Sequence, residues 1–345
     1  MTKSFIPEAE HYPLKFAPSY QSRVWGGDQL QSVLHRQLPK NDGSPIGESW
    51  ELADRADVNS AVTNGALAGF TIGELVKHYG TTLLGKKCHG VSRFPLLVKL
   101  IDAGERLSLQ VHPDAGACAR IGKGAEPKTE MWYIISARQG TQIFAGLKPR
   151  ATRLKLTELL GSGDDEALES QLQVYESLPR DAYYIQAGTV HAIGAGNLLL
   201  EIQQNSDTTF RLSDWGRVDK DGRSRELHLE KGLAAVDFFN RNSPRIPGVT
   251  GRAGFNRRFQ LVGNSQYFRV TELRLVEPLR EDPLQDGSFH IITAINGRIA
   301  VAGEVDEQLR CEADGGRSLL IPAGFGPYRI LPLEDGETTV LKTTL

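Results

Sequence analysis

The stretch Leu107-Ser108-Leu109-Gln110-Val111-His112-Pro113-Asp114 is answered twenty residues on by Lys128-Thr129-Glu130-Met131-Trp132-Tyr133. Each piece alternates polar and apolar positions, the period of a strand buried on one side. Ser108, Gln110 and His112 then share one face and Leu107, Leu109 and Val111 the other; Lys128 and Glu130 share a face in the same way. Read as neighbouring strands, the two pieces project an imidazole, a carboxamide, a carboxylate and an ammonium into one space. That set suits a divalent metal with a cation beside it. The residues between, 115–127, hold three glycines, a proline and several charges. They read as a loop able to cross the mouth of such a site.

The flanking sequence adds polar groups of the same kind. Phe94–Ile101 is an apolar strand interrupted by Lys99, a residue that is costly to bury unless it is paired or lines a polar pocket. Val24-Trp25-Gly26-Gly27 is a turn carrying a large ring, and Gly47–Leu52 is a strand that places Glu48 beside that aromatic wall, an arrangement suited to a sugar ring. Downstream, Ala182–Gln186 is a strand that enters the tight turn Ala187-Gly188-Thr189-Val190-His191. In Leu198–Gln204, Glu201 and Gln203 share a face, and Asp207–Leu212 brings a lone cation, Arg211. Two segments read as helical. Thr71–Tyr79 has a capping-box pattern with Glu74. Thr152–Leu160 and Glu166–Val174 form a small insert, with Gly161-Ser162-Gly163-Asp164 as stop and restart.

From the residues alone, the metal reading rests on His112, Glu130 and His191, with Gln110 as an optional fourth ligand; zinc and ferrous iron suit this donor set equally. A metal with open positions can polarise a carbonyl and its adjacent hydroxyl. Lys128 and Arg211 would hold a phosphate or stabilise a developing enediolate, and Glu201 would shuttle a proton. These parts suit proton abstraction next to a carbonyl, as in aldose–ketose isomerisation.

Composition bounds the rest. The chain has 345 residues, 40% hydrophobic and 24% charged, with 36 glycines and 17 prolines, a globular and turn-rich balance that favours β structure. A net charge of -2 without a basic stripe argues against nucleic acid as a partner. Three scattered cysteines, Cys88, Cys118 and Cys311, argue against a disulfide framework and for a reducing cytoplasm. Residues 1–10 lack the apolar core of a signal peptide, and no apolar run is long enough to span a membrane.

Residues 241–258 read as a linker between a catalytic domain, 1–240, and a β-rich domain, 259–345, without a metal. In the latter, Phe268–Val276 is a strand, and Asn296-Gly297 inside Phe289–Ala302 is a hairpin signal. Ile185-Gln186-Ala187-Gly188-Thr189-Val190-His191 is similar to Ile321-Pro322-Ala323-Gly324-Phe325-Gly326-Pro327, which suggests two related β units, only the first carrying a ligand histidine.

The chain resembles the type I mannose-6-phosphate isomerases (phosphomannose isomerases) of the shorter bacterial form. The resemblance is carried by Trp25-Gly26-Gly27, Gly47–Trp50, Pro95–Lys99, Leu107–Asp114, Lys128–Trp132, Ala187–His191 and Glu201–Arg211, in the family's order over most of 14–240. It implies a mainly β fold of two cupin-type (jelly-roll) barrels with a helical insert at about 150–174, the large helical domain of longer members being mostly absent. Substrate closure would then depend on other loops. It implies one zinc per chain on Gln110, His112, Glu130 and His191, and interconversion of mannose 6-phosphate and fructose 6-phosphate by proton transfer between C1 and C2 through a cis-enediol. Arg211, Lys128 and Glu201 fall on catalytic positions, with Glu201 or a metal-bound water as base, and Trp25, Glu48, Lys99 and Ser108 on substrate-binding positions. One departure is Thr129, where longer members carry proline; a local change of the strand is expected there. Two rivals use the same residues: a metal-dependent cupin oxygenase, and a non-catalytic sugar-phosphate-binding cupin. The resemblance also implies a cytoplasmic monomer or weak homo-oligomer with a small-molecule partner and neither nucleic acid nor membrane.

Overall fold

Alternating sequences in this chain do form strands, and four sheets gather them. The computed structural model describes residues 11–40, 43–122, 124–218 and 221–345; the expectation that residues 1–10 lack a signal peptide lies outside them. The described residues divide into two compact units. One comprises the chain up to Ser19 together with Trp50–Leu97 and Pro247–Leu345, the other Tyr20–Ser49 and Val98–Ile246. The division differs from the linear one expected at 241–258. Residues 50–97 pack with the C-terminal residues, and Val249–Ala253, inside the expected linker, is a strand paired with Asn256–Val262.

The unit that holds the metal-type residues has two sheets. The five-stranded sheet runs Phe210–Ser213, Leu109–Val111, His191–Ile193, Gln142–Leu147, Leu172–Glu176. The six-stranded sheet runs Ser19–Ser22, Ile46–Leu52, Leu96–Ala103, Asn197–Gln204, Glu130–Ala137, Ala182–Ile185, and in three of its strands the chain passes between units. Trp132, Ile134 and Leu199 of the larger sheet meet Ile143, Ala145 and Ile193 of the smaller in one apolar core. The outer face of the smaller sheet, with Leu109, Val111, Ala192 and Leu212, is covered by Leu156, Leu159 and Leu168 of the helical insert. Burial of these faces is the main force holding the sandwich together, at about 25 cal/mol per Å² of apolar surface.

Several local expectations hold and several change. Ile72–Tyr79 is a helix with the full capping box between Thr71 and Glu74. Gly163 ends the Arg153–Ser162 helix in the left-handed region (φ 70°), and Asp164 caps Asp165–Glu169. The helix expected over Glu166–Val174 stops at Glu169, and Leu172–Glu176 is a strand antiparallel to Gln142–Leu147; pairing on an open sheet edge outweighs a weak helical pattern. The expected 115–127 loop contains the helix Ala115–Ile121, whose Ala117 N–H donates to the Asp114 carboxylate at 2.6 Å. The Leu109–Val111 and Glu130–Ala137 strands are not neighbours: they belong to different sheets, so their polar faces meet across the interior of the sandwich.

The other unit also pairs two sheets. Seven strands run Leu14–Lys15, Ser318–Ile321, His290–Ala294, Thr338–Thr344, Arg269–Leu275, Asn256–Val262, Val249–Ala253; four run Leu279–Glu281, Tyr328–Pro332, Ile299–Gly303, Arg310–Ala313. Leu273, Ile292, Ile299, Val301 and Ile330 fill the space between them. Asn296-Gly297 is not a hairpin turn. His290–Ala294 belongs to the larger sheet and Ile299–Gly303 to the smaller, so the turn is a corner. Gly297 supplies a φ of 69°, and the Asn296 side chain accepts from Thr339 N–H. The sequence likeness of 185–191 to 321–327 has a structural counterpart. In each, an Ile ends a strand of the larger sheet and the chain crosses to a strand of the smaller, beginning at His191 in one and Tyr328 in the other.

Candidate metal centre and cavity

Strand register aligns the key side chains. Gln110 lies opposite both Arg211 and His191 on adjacent antiparallel strands, so the three project from one face of the five-stranded sheet. His112 follows on the same face two residues after Gln110. From the larger sheet, Glu130 lies opposite Gln203, and Glu201 opposite Trp132. The two faces bring His112, Glu130 and His191 together: one ligand-type atom from each lies within 4.8 Å of the others.

The imidazoles are held in one tautomer. His112 Nδ1 is 2.9 Å from the Thr208 carbonyl oxygen and His191 Nδ1 is 2.8 Å from that of Thr189. A carbonyl can only accept, so each Nδ1 carries the proton and donates it, leaving each Nε2 lone pair free. Among the described residues, both Nε2 atoms and Glu130 Oε1 are buried without a hydrogen-bond partner, and Glu130 Oε2 has only the Lys128 ammonium beside it. Nε2 of His112 is 3.4 Å from Glu130 Oε2, and that of His191 is 3.5 Å from Oε1. Apart from the Lys128 ammonium beside Oε2, no donor stands among these converging acceptor atoms, an arrangement unfavourable in a purely structural core. They fit a divalent cation, for which neutral imidazole nitrogen and carboxylate oxygen are suitable ligands.

The charges are tuned to that role. Burial, helped by the Lys128 ammonium, pushes His112 down to about 4, and burial also lowers His191, so both rings are neutral at pH 7. Burial works against the Glu130 charge, yet the Lys128 ammonium holds its carboxyl well below the usual range. For Lys128, burial alone would lower its value, but Glu130 and Glu201 outweigh it and keep the ammonium charged. The Lys128 Nζ stands 2.9 Å from Glu130 Oε2, an ion pair that engages one of the two carboxylate oxygens.

Above this group lies a cavity of about 400 Å³. Its wall includes Trp25, Glu48, Lys99, Ser108, Gln110, Lys128, Glu201 and Arg211, all the residues singled out from the sequence except the three metal-type ligands beneath it. Glu201 is fixed at one oxygen by Trp132 Nε1–H, which donates to Oε2 at 3.0 Å, while Oε1 stands 3.4 Å from the Lys99 ammonium. Lys99 is thus a paired buried lysine on a polar wall. Glu48 pairs with Arg23 at 2.9 Å. Arg211 donates to the Glu226 carbonyl at 2.7 Å, and its buried Nε has no partner. Thr129 makes a hydrogen bond that proline could not: its N–H donates to Gln204 Oε1 at 2.9 Å, tying the segment before Glu130 to the neighbouring strand.

The turn under Trp25 is equally specific. A Cβ at Gly27 would lie 2.0 Å from an Asp102 carboxylate oxygen, whose other oxygen accepts from Leu30 N–H.

Sequence reasoning missed Arg23, Asp207, Thr209 and Arg225, which also line the cavity. Asp207 and Thr209 share the two-residue period of Arg211, and Arg23 that of Trp25, so alternation carried a signal for them. Arg225 sits in irregular chain, where no period marks it. Gln203 is a different case: it is fully buried opposite Glu130, and its Oε1 lacks a partner.

Fold and site together define a cupin-type β-sandwich enzyme with a candidate His–Glu–His metal centre under a cationic cavity. The comparisons make this specific. A family model described as phosphomannose isomerase type I, catalytic domain, matches residues 14–140. The Bacillus subtilis protein named "Probable mannose-6-phosphate isomerase GmuF" is 31% identical over 319 residues, 92% of this chain and 96% of that one. The Bacillus subtilis mannose-6-phosphate isomerase ManA is 40% identical over 235 residues, 68% of this chain and 70% of its own length. The crystal structure of a mannose 6-phosphate isomerase from Bacillus subtilis superposes with a TM-score of 0.83 at 29% identity, over 97% of this chain and 99% of that one. The chain belongs to the type I mannose-6-phosphate isomerase (phosphomannose isomerase) family, and it is an isomerase. The oxygenase and non-catalytic alternatives give way to that class.

Proposed function

We propose that the enzyme interconverts mannose 6-phosphate and fructose 6-phosphate by moving a proton between C1 and C2 through a cis-enediol, with one zinc per chain. The observation that carries the reading is the convergence of two imidazole Nε2 atoms, without partners among the described residues, on a carboxylate beside a cavity lined by Lys99, Lys128 and Arg211. His112, Glu130 and His191 would hold the metal, with Gln110 on the cavity wall as fourth ligand. When bound, zinc would act as a Lewis acid toward O1 and O2 of the open-chain sugar.

The chain's own groups do the rest. Glu201, with one oxygen held by Trp132 and the other facing the cavity wall, transfers the proton between the two carbons. Arg211 and Lys128 stabilise the negative charge that develops on the enediol oxygens. Lys99 and Ser108 contact hydroxyl or phosphate oxygens, and Trp25 and Glu48 bind the sugar chain. The other unit acts as structural support. A cytoplasmic, monomeric or weakly associating enzyme fits three cysteines without disulfides and the absence, among the described residues, of any helix long and apolar enough to cross a membrane.

The test is a coupled assay for fructose 6-phosphate formed from mannose 6-phosphate, before and after chelation and with zinc restored. Activity lost on chelation and regained with zinc is the expected result. Undiminished turnover in metal-free protein, or no turnover of this substrate in zinc-loaded protein, overturns the proposal.

A further inference from the structure

The cavity wall carries a guanidinium that the mechanism above does not use. Arg225 lies in the chain that follows the Phe210–Ser213 strand, and it faces the same cavity as Arg211. Its posture is built. Nε donates to Asp214 Oδ2 at 2.8 Å and one terminal nitrogen donates to Oδ1, a two-point clamp on a carboxylate that is only 5% exposed. Among the described residues the other terminal nitrogen has no partner, and the side chain is 28% exposed. Asp214 is also approached by Arg217 at 3.5 Å, so its single negative charge faces two guanidinium groups. Arg211 adds a third cation on this side, itself lowered by burial and by the Arg225 charge. Glu105 stands 3.4 Å from Arg217 and the Glu226 charge acts on Arg211, so the charges are largely matched here, but one donor edge of a rigidly held fork is left open. An enediol has no need of a second guanidinium so placed, whereas a phosphoryl dianion does.

We propose that Arg225, positioned by Asp214, binds the phosphoryl group of the substrate and is the residue that makes this enzyme prefer a phosphorylated over a free hexose. The inference rests on the isomerase reading of the same cavity. A planar guanidinium pinned at two nitrogens loses little freedom when its remaining N–H groups meet phosphoryl oxygens, so the contact is selective as well as strong. A phosphate contact made equally in ground and transition states acts on KM more than on kcat.

The experiment compares the parent, Arg225→Gln, Arg225→Lys and Asp214→Asn as zinc-loaded full-length proteins. Rates are measured with mannose 6-phosphate and with mannose, and binding of inorganic phosphate is followed by calorimetry. For Arg225→Gln, KM for mannose 6-phosphate is expected to rise by about ten-fold or more. The ratio of kcat/KM for mannose 6-phosphate to that for mannose is expected to fall by about the same factor, and phosphate binding to weaken in parallel. Arg225→Lys should recover part of the loss, and Asp214→Asn, which leaves the guanidinium but unpins it, should fall between. Equal loss on both substrates with unchanged phosphate affinity would show a merely structural residue and overturn the proposal, as would an unchanged KM. If the parent itself does not turn over mannose 6-phosphate, the isomerase reading fails separately. Calorimetry still decides Arg225, since phosphate bound equally by parent and Arg225→Gln refutes it.

Discussion

Each unit of this protein brings together histidine, carboxylate and lysine side chains, and the two clusters are built to opposite ends. In one, His112 and His191 present Nε2 atoms, and Glu130 a carboxylate oxygen, that have no hydrogen-bond partner among the described residues, with Lys128 at the other oxygen. In the other, Glu281, Asp286 and His290 lie equally close together, yet every group is answered. His290 Nε2 donates to Asp286 at 2.8 Å, its Nδ1 accepts from the Tyr328 hydroxyl at 2.7 Å, and the Lys342 ammonium donates to Glu281 at 2.8 Å and to Asp286 at 3.0 Å. The tautomers differ accordingly. Carbonyl oxygens take the Nδ1 proton of His112 and His191 and leave Nε2 bare; a carboxylate takes the Nε2 proton of His290 and closes it. The hydrogen bond from His290 and the Lys342 charge hold Asp286 well below the carboxylate range. The lesson is that residue types do not define a metal site. What marks it here is several ligand-type atoms that converge on one another without partners, an arrangement that calls for a group to complete it.

The largest effect that would break this contrast is loss of the open set. Glu130→Ala removes the only anionic ligand and leaves Lys128 unbalanced. Bound zinc should vanish on elemental analysis, and kcat/KM should fall by about a thousand-fold, roughly 4 kcal/mol of barrier. Retained zinc with near-parent activity would erase the distinction between the clusters.

A pH prediction comes next in size. Folding holds His112 at about 4, below its ordinary 6.5. The unfolded chain therefore takes up a proton that the folded chain refuses. This contribution to stability is present above about pH 6.5 and lost as pH falls toward 4, on the order of 3 kcal/mol. Denaturation of metal-free protein at several pH values, with His112→Gln as reference, should show the parent's slope and its absence in the variant. A parent that keeps its stability to pH 4 would place the imidazole in a different state.

Lys342→Met sharpens the other side. It removes the ammonium that Glu281 and Asp286 share, leaving Glu281 to Arg258 and the 39% exposed Asp286 to His290, so unfolding should become easier by about 2 kcal/mol in denaturant, while zinc per folded chain stays that of the parent. Loss of zinc in this variant would mean that the closed cluster is not merely structural. The smallest effect is expected for Trp132→Phe, which deletes the donor that fixes Glu201: kcat should fall by about ten-fold with zinc content intact.

Much of the open cluster was legible because it is written in period two. Once Gln110 and His112 share a face, and Lys128 and Glu130 share another, only the crossing of two sheets is needed to assemble them. The assignment of strands to sheets was not legible. Asn296-Gly297 has the chemistry of a hairpin turn, yet the runs beside it join different sheets, a choice made by partners far away in sequence such as Thr338–Thr344. Residues 172–176 became an edge strand for the same reason. The closed cluster draws on a short strand, a four-residue helix and a strand some fifty residues later, so no local pattern announced it. Arg225 was missed because irregular chain carries no period, and only its pairing with Asp214 gives it a direction.

The contrast can be read in one map. Crystals of the protein prepared with zinc, measured at the zinc absorption edge, should give one anomalous peak per chain, about 2.0–2.2 Å from Nε2 of His112 and of His191 and from the Glu130 carboxylate. A map with no peak there, or with its peak among Glu281, Asp286 and His290, would contradict the account.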